Sequence, residues 1–205
     1  MSRPVHRAAA LALALALAPV PGRADGHDDE RIEDNSFLVE EAYNQEAGVV
    51  QHVFTFQQGL RRFEWVASFT EEWPAPDQRH QLSLTLTGLR QPDALGAAGL
   101  GDLLLNYRHE MVRTEGGEAV FTGRLSLVVP SGDARRGLGL DHLGLQVNLP
   151  LSLLLGQRFA THLNLGGTWV PGALAGGERG DLWTLSGGAS LVWFRSEEHT
   201  SELHH

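Results

Sequence analysis

The sequence predicts an all-β protein, an antiparallel up-and-down transmembrane β-barrel of which about eight strands are present. Three observations support this fold class. From residue 48 onward, runs of about ten or more residues alternate between apolar and polar side chains, with Gly, Pro, Asp or Glu clusters between the runs. Soluble strands are shorter, averaging about five or six residues. The polar positions carry mainly Ser, Thr, Asn and Gly rather than dense charge, which favours a membrane barrel over a soluble sandwich.

The composition limits the kinds of protein that this chain can be. Its 205 residues suffice for one folding unit, and the absence of cysteine excludes a disulfide framework and a thiolate metal site. The formal net charge is -9. An acidic chain of this kind is a poor partner for nucleic acid.

The N-terminus has the pattern of a secretory signal peptide. Arg3 and Arg7 precede an apolar run over residues 8–20, and residues 22–24 form a small-x-small cleavage site. The run is shorter than the roughly 20 apolar residues that an anchoring helix needs. We therefore expect residues 1–24 to be removed and the mature protein to begin at Asp25.

Residues 25–47 are predicted to form an N-terminal periplasmic segment before the barrel of residues 48–194. Its first part is charged, and His27 with Asp28 and Asp29 fits a hydrated tail better than a metal site. Residues 37–43 mix apolar and acidic side chains without a clear period, so the sequence leaves their structure open.

The strands follow in order, each with an apolar and a polar face. The clearest is residues 81–87, where Leu82, Leu84 and Leu86 alternate with polar residues such as Thr85. The same alternation gives the other apolar faces: Phe63, Trp65, Ala67 and Phe69; Leu105, Tyr107 and Met111; Phe121, Leu125, Leu127 and Val129; Leu143, Leu145, Val147 and Leu149; Phe159, Leu163, Leu165 and Trp169; Trp183, Leu185, Ala189, Leu191 and Trp193.

Charged and polar residues opposite these apolar faces are candidates to line the barrel interior. They are Glu64, Arg108, Arg124, His142, Arg158, His162 and Asn164. In a narrow barrel such residues form a hydrogen-bonded plug more often than a selectivity ring. Glu64, Glu110 and Asn164 are the expected partners of the arginines.

No catalytic, cofactor-binding or metal site is predicted. Ser126, His142 and Asn148 could meet on neighbouring strands, but no nucleophile-elbow motif accompanies them. The glycine pairs at residues 99–101 and 137–139 do not precede a helix. Turns or strand starts explain them better than a phosphate-binding loop.

Several stretches resemble the outer-membrane transporter family named for the MetA pathway of phenol degradation. They are residues 37–46 with 48–52, the glycine-aspartate strand opening at 99–103, the strand ending in a Pro-x-Gly-Asp turn at 125–133, and residues 145–170. The resemblance covers roughly residues 33–194. It implies an outer-membrane barrel that helps small hydrophobic or aromatic compounds to enter a Gram-negative cell, and it carries over no catalytic residues.

The C-terminus departs from that family's pattern, in which the last strand ends on an aromatic residue. Residues 195–205 closely resemble a peptide translated from sequencing-adapter DNA, although a natural polar tail or a purification tag is an alternative. We accordingly expect a truncated barrel whose sheet is open between its first and last strands.

The leading functional prediction is passive transport of small hydrophobic or aromatic compounds, with outer-membrane lipid as the main partner. The alternatives are a periplasmic β-sandwich or barrel that binds a lipid or a protein partner, and a non-functional fragment of a longer barrel. Dependence on detergent for extraction separates the first two.

Overall fold

A computed structural model describes residues 10–15, 39–59, 63–90 and 97–194. In residues 10–15 it describes the backbone alone. The expected signal-peptide cleavage site, the charged run that follows it, and residues 195–205 lie outside the described residues.

The described residues form one antiparallel sheet that curls into a half-barrel. In chain order the strands are β1 (Ala10–Leu15), β2 (Gln51–Gly59), β3 (Trp65–Pro74), β4 (His80–Arg90), β5 (Ala98–Leu100), β6 (Leu103–Arg113), β7 (Ala119–Val129), β8 (Gly144–Leu155), β9 (Phe159–Ala175) and β10 (Glu178–Trp193). A single 3-10 turn, Ala134–Arg136, is the only helical element in the described part of the chain. The predicted all-β class is therefore confirmed.

The strands follow one another across the sheet in up-and-down order. Each long strand from β2 to β10 pairs with its sequence neighbour, while the three-residue β5 pairs with the end of β4. At the far side β10 pairs with β9 alone, among the residues that the structure describes. The expected open sheet of about eight long strands is thus confirmed, with β1 added beside β2.

The predicted alternation gives the sheet two different faces. On β7, Thr122 and Ser126 are fully buried on the concave face, whereas Leu125 on the convex face is 51% exposed. The largest fully buried side chains are His162, Gln81, Val120, Val170, Thr122, Pro150, Ser126 and Ser152. Most of the large apolar side chains face outward, so the sheet buries polar groups and exposes apolar ones.

The two ends of the sheet differ in their connections. One end carries the short turns at residues 75–79, 114–118 and 156–158, together with the start of β2. The other end, here called the long-connection end, carries the link of residues 130–143 between β7 and β8, and also the two-residue turn at residues 176–177 between β9 and β10. There Asp102 holds two stretches together, because its carboxylate accepts hydrogen bonds from Gly132 N (2.9 Å) and Leu140 N (2.8 Å).

Several positions predicted on strand faces lie outside the strands, among them Glu64 before β3 and Leu143 before β8. Phe63 lies before β3 with φ 50°, which is not extended backbone. Arg158 lies in the turn between β8 and β9, and His142 lies in the connection before β8. In each case the apolar-polar alternation continues beyond the residues that pair in the sheet.

Candidate functional site: the concave face and its inner segment

Residues 39–49, here called the inner segment, lie across the concave face without joining the sheet. Ala42 is fully buried, and its N–H donates to Ser152 Oγ at 2.9 Å. Thr122 Oγ1 donates to the carbonyl of Ala42 at 2.5 Å, and Gln45 N donates to Gln81 Oε1 at 2.9 Å. Side chains of the sheet therefore satisfy backbone groups that a buried irregular segment would otherwise leave unpaired.

The inner segment places a carboxylate between two arginines. Glu40 Oε1 lies 3.4 Å from Arg108 Nε, and Glu40 Oε2 lies 3.3 Å from an Arg124 guanidinium nitrogen. Asn148 Nδ2 donates to Glu40 Oε2 at 2.6 Å. The Arg108 side chain is only 7% exposed, so this ion pair is shielded from bulk water.

Strand register explains why these side chains meet. Arg108 on β6 pairs directly with Arg124 on β7, and Arg124 pairs with Asn148 on β8. Directly paired residues on antiparallel strands point to the same face. On β9 the direct partner of Asn148 is Gly166, and Asn164 lies diagonally across from Asn148. Asn164 accepts from Glu40 N (3.1 Å) and donates to Glu40 O (2.5 Å).

An aromatic contact holds the next part of the inner segment. Tyr43 meets His162 edge to face, with ring centroids 6.3 Å apart. His162 is fully buried, and its Nδ1 lies 2.8 Å from Ser152 Oγ. The guanidinium of Arg113 lies 5.9 Å from the Tyr43 ring centroid, within the range of a cation-π contact.

A cavity of about 740 Å³ lies between the inner segment and the concave face. Hydroxyl and amide groups line much of it, and several bond to each other. Thr70 Oγ1 lies 2.9 Å from Thr85 Oγ1, and Asn106 Nδ2 donates to Thr85 Oγ1 at 3.3 Å. Its apolar lining side chains include Val39, Val49 and Val53. The cavity is polar on the sheet side, with apolar patches near the segment.

The candidate lining residues fall into two groups. Arg108, Arg124, His162 and Asn164 lie on the concave face, where the structure brings them together around the inner segment. Glu64, His142 and Arg158 lie in connections between strands. His142 stands beside Gly172 at the long-connection end.

The partners of the arginines also differ from expectation. Arg108 and Arg124 contact Glu40, whereas Glu110 forms an ion pair with Arg113, with oxygen and nitrogen 2.5 Å apart. The sequence signal for Glu40 was weak because the inner segment has no strand periodicity. Nothing in the sequence distinguishes Glu40 from the adjacent Glu41.

Other candidate sites are not assembled in the described residues. Ser126 lies within β7 opposite Gln146, whereas His142 lies outside the strands, so the two do not share a strand pair. No group of three or more His, Asp or Glu side chains within the described ranges could hold a metal ion. Nor does that part of the chain contain a helix long and apolar enough to cross a membrane.

Comparison of the chain with protein-family models, with curated proteins and with solved structures finds no match. The resemblance to the MetA-pathway outer-membrane family therefore stays a prediction. Two of the stretches that carry it do lie together in the fold, since Asp102 binds the backbone of Gly132.

Proposed function

We propose that this chain is an outer-membrane β-barrel protein of a Gram-negative bacterium that provides a passive route for small hydrophobic or aromatic compounds. The observation that carries the proposal is the reversed burial of the two faces. Soluble proteins bury apolar side chains and keep contiguous exposed apolar patches small. Here the largest buried side chains are mainly polar, while leucines such as Leu165 (56% exposed) cover the outer face.

Strand length supports the same proposal. Strands β2, β3, β4, β6, β7 and β8 have 9 to 12 residues each. A tilted strand of about 9–11 residues spans a bilayer. The short turns at residues 75–79, 114–118 and 156–158, all at one end, are also typical of outer-membrane barrels, whose periplasmic turns are short.

Export is part of the proposal, with residues 1–24 acting as a signal peptide. Removal of these residues would take away β1 and leave the edge of β2 unpaired, because β1 pairs with β2 alone. Mass spectrometry of the membrane fraction should find a chain that begins at Asp25. Recovery of intact Met1 would count against export.

One observation favours a second candidate, a periplasmic protein that binds a lipid or a protein partner. The outer edge of β10 has no strand partner among the described residues. Unpaired backbone groups cost several kcal/mol each in hydrocarbon, so an open edge must be covered before the sheet can reside stably in a bilayer. In water such an edge costs less.

Extraction separates the two candidates. Membranes that contain the expressed protein are washed with alkaline carbonate or with urea, and then with detergent. Release by detergent alone supports the membrane barrel, whereas release by carbonate or urea supports the periplasmic candidate. Swelling of liposomes that contain the purified protein, in gradients of small aromatic solutes, then tests the transport step directly.

A further inference from the structure

The arginine pair on the concave face offers a binding site that the chain itself now occupies. We propose that Arg108 and Arg124 form a carboxylate-binding site, that Glu40 fills it as an internal ligand, and that the solutes of this protein are small organic carboxylates with an apolar body. This inference rests on the proposed transport function and names its substrate class.

The register of the sheet creates a need for an anion at this point. Arg108 and Arg124 are directly paired on adjacent strands and point to the same face. Like charges placed opposite each other on a sheet are destabilising, and buried charges require partners. The Glu40 carboxylate lies between the two guanidinium groups and pairs with both, and Asn148 adds a hydrogen bond to Glu40 Oε2.

A ligand carboxylate can take the place of Glu40, because Glu40 lies on a segment that can move away from the sheet. Glu40 lies on the inner segment, which hydrogen bonds hold to the sheet without any strand pairing. Glu72 on β3 is a second acidic group within electrostatic range of both arginines and of Glu40. Its carboxylate accepts a hydrogen bond from Gln81 Nε2 at 3.0 Å and belongs to the sheet, so it stays when the segment moves.

The space around the site fits the rest of such a ligand. The cavity of about 740 Å³ lies within the range of small-molecule sites, roughly 300–1,000 Å³. Arg108, Arg124 and Asn148 line it together with Val39, Val49 and Val53. A ligand with a carboxylate at one end and a ring at the other would meet both surfaces.

The test compares benzoate with benzamide, which has the same ring but no charge. Both are titrated calorimetrically into the full chain folded in detergent micelles. Glu40→Gln removes the competing charge and leaves an amide of similar shape. It should therefore raise the affinity for benzoate about tenfold, or about 1.4 kcal/mol, and leave that for benzamide unchanged. Glu118→Gln, in the exposed turn between β6 and β7, is the matched control and should change neither affinity.

A second variant assigns the effect to the arginines. Glu40→Gln combined with Arg124→Gln should lose the gained benzoate affinity. If the double variant keeps the gain, or if Glu40→Gln strengthens benzamide equally, the proposal is overturned.

The unmodified protein gives a test that does not depend on the folding of any variant. Benzoate that displaces Glu40 should speed hydrogen exchange at the amides of Ala42 and Gln45, which donate to Ser152 and Gln81, and benzamide should not. Equal exchange with both compounds would overturn the proposal. These experiments use detergent micelles, so their outcome does not depend on liposome swelling. Swelling without a preference for carboxylates would defeat this inference alone. Absence of swelling would defeat the proposed transport function.

Discussion

Leu125 and Ser126 are neighbours in β7, yet Leu125 is 51% exposed on the convex face and Ser126 is fully buried on the concave face. The same contrast recurs along the long strands, so one set of strands presents two surfaces of opposite chemistry. Under the proposed membrane location the convex face would meet lipid, which accepts any apolar side chain, so it would need no specific contacts. The concave face depends on specific pairs, such as Arg108 with Glu40, since most buried polar groups need a partner. The two faces should therefore respond differently to mutation.

The largest expected effect is a charge placed on the convex face. Leu84→Arg, in the middle of β4, should destabilise the membrane-inserted state by about 2–4 kcal/mol, because a charge near the bilayer midplane is poorly solvated. Thr85→Arg is the matched control. Thr85 lines the cavity, where water can solvate the new guanidinium, so the effect should be much smaller. Folding titrations into liposomes measure both, and equal losses would defeat the assignment of faces.

The next effect concerns the ion pairs on the concave face. Arg108→Met should cost about 3 kcal/mol of unfolding free energy, since Glu40 would keep a poorly solvated charge with one guanidinium fewer. Arg179→Met is the control, because Arg179 pairs with Asp141 at an exposed site where ion pairs contribute about 0–1 kcal/mol. Urea unfolding in detergent compares them. Similar losses in the two variants would show that the concave pair is not shielded from water.

A smaller effect is expected at the anchor of the inner segment. Ser152→Ala removes the acceptor for the buried Ala42 amide and should cost about 1–2 kcal/mol. Ser190→Ala is matched to it, because the buried Ser190 Oγ has no hydrogen-bond partner, and should change stability little. Hydrogen exchange at Ala42 reports local loosening in addition to the unfolding midpoint. An unchanged exchange rate in Ser152→Ala would contradict the anchoring role.

Strand positions and faces were predictable because period-two alternation is a direct consequence of the pleat. That pattern placed Arg108, Arg124, His162 and Asn164 on the polar face. It failed at strand ends, where Arg158 precedes the first paired residue of β9. At such positions, alternation continues in the sequence while hydrogen bonding has already stopped.

The inner segment could not be derived from the sequence for a different physical reason. Its backbone bonds to side chains of distant strands, as Ala42 does with Thr122 and Ser152. Contacts of this kind leave no period in the sequence. Glu40 accordingly read as one acidic residue among several, although it is the residue that balances the arginine pair.

The hairpin of β9 and β10 extends beyond the rest of the sheet at the long-connection end. Trp169 is the last residue of β9 that pairs with β8, and residues 170–175 continue beside β10 for roughly 20 Å at about 3.3 Å per residue. Leu174 N donates to Leu140 O, which holds this ribbon against the neighbouring connection. The tip of the hairpin, at Gly176 and Gly177, can therefore report which side of the membrane this end of the sheet faces. A protease site inserted at the tip would be cut in intact cells if this end faces outward, and only after cell lysis if it faces inward.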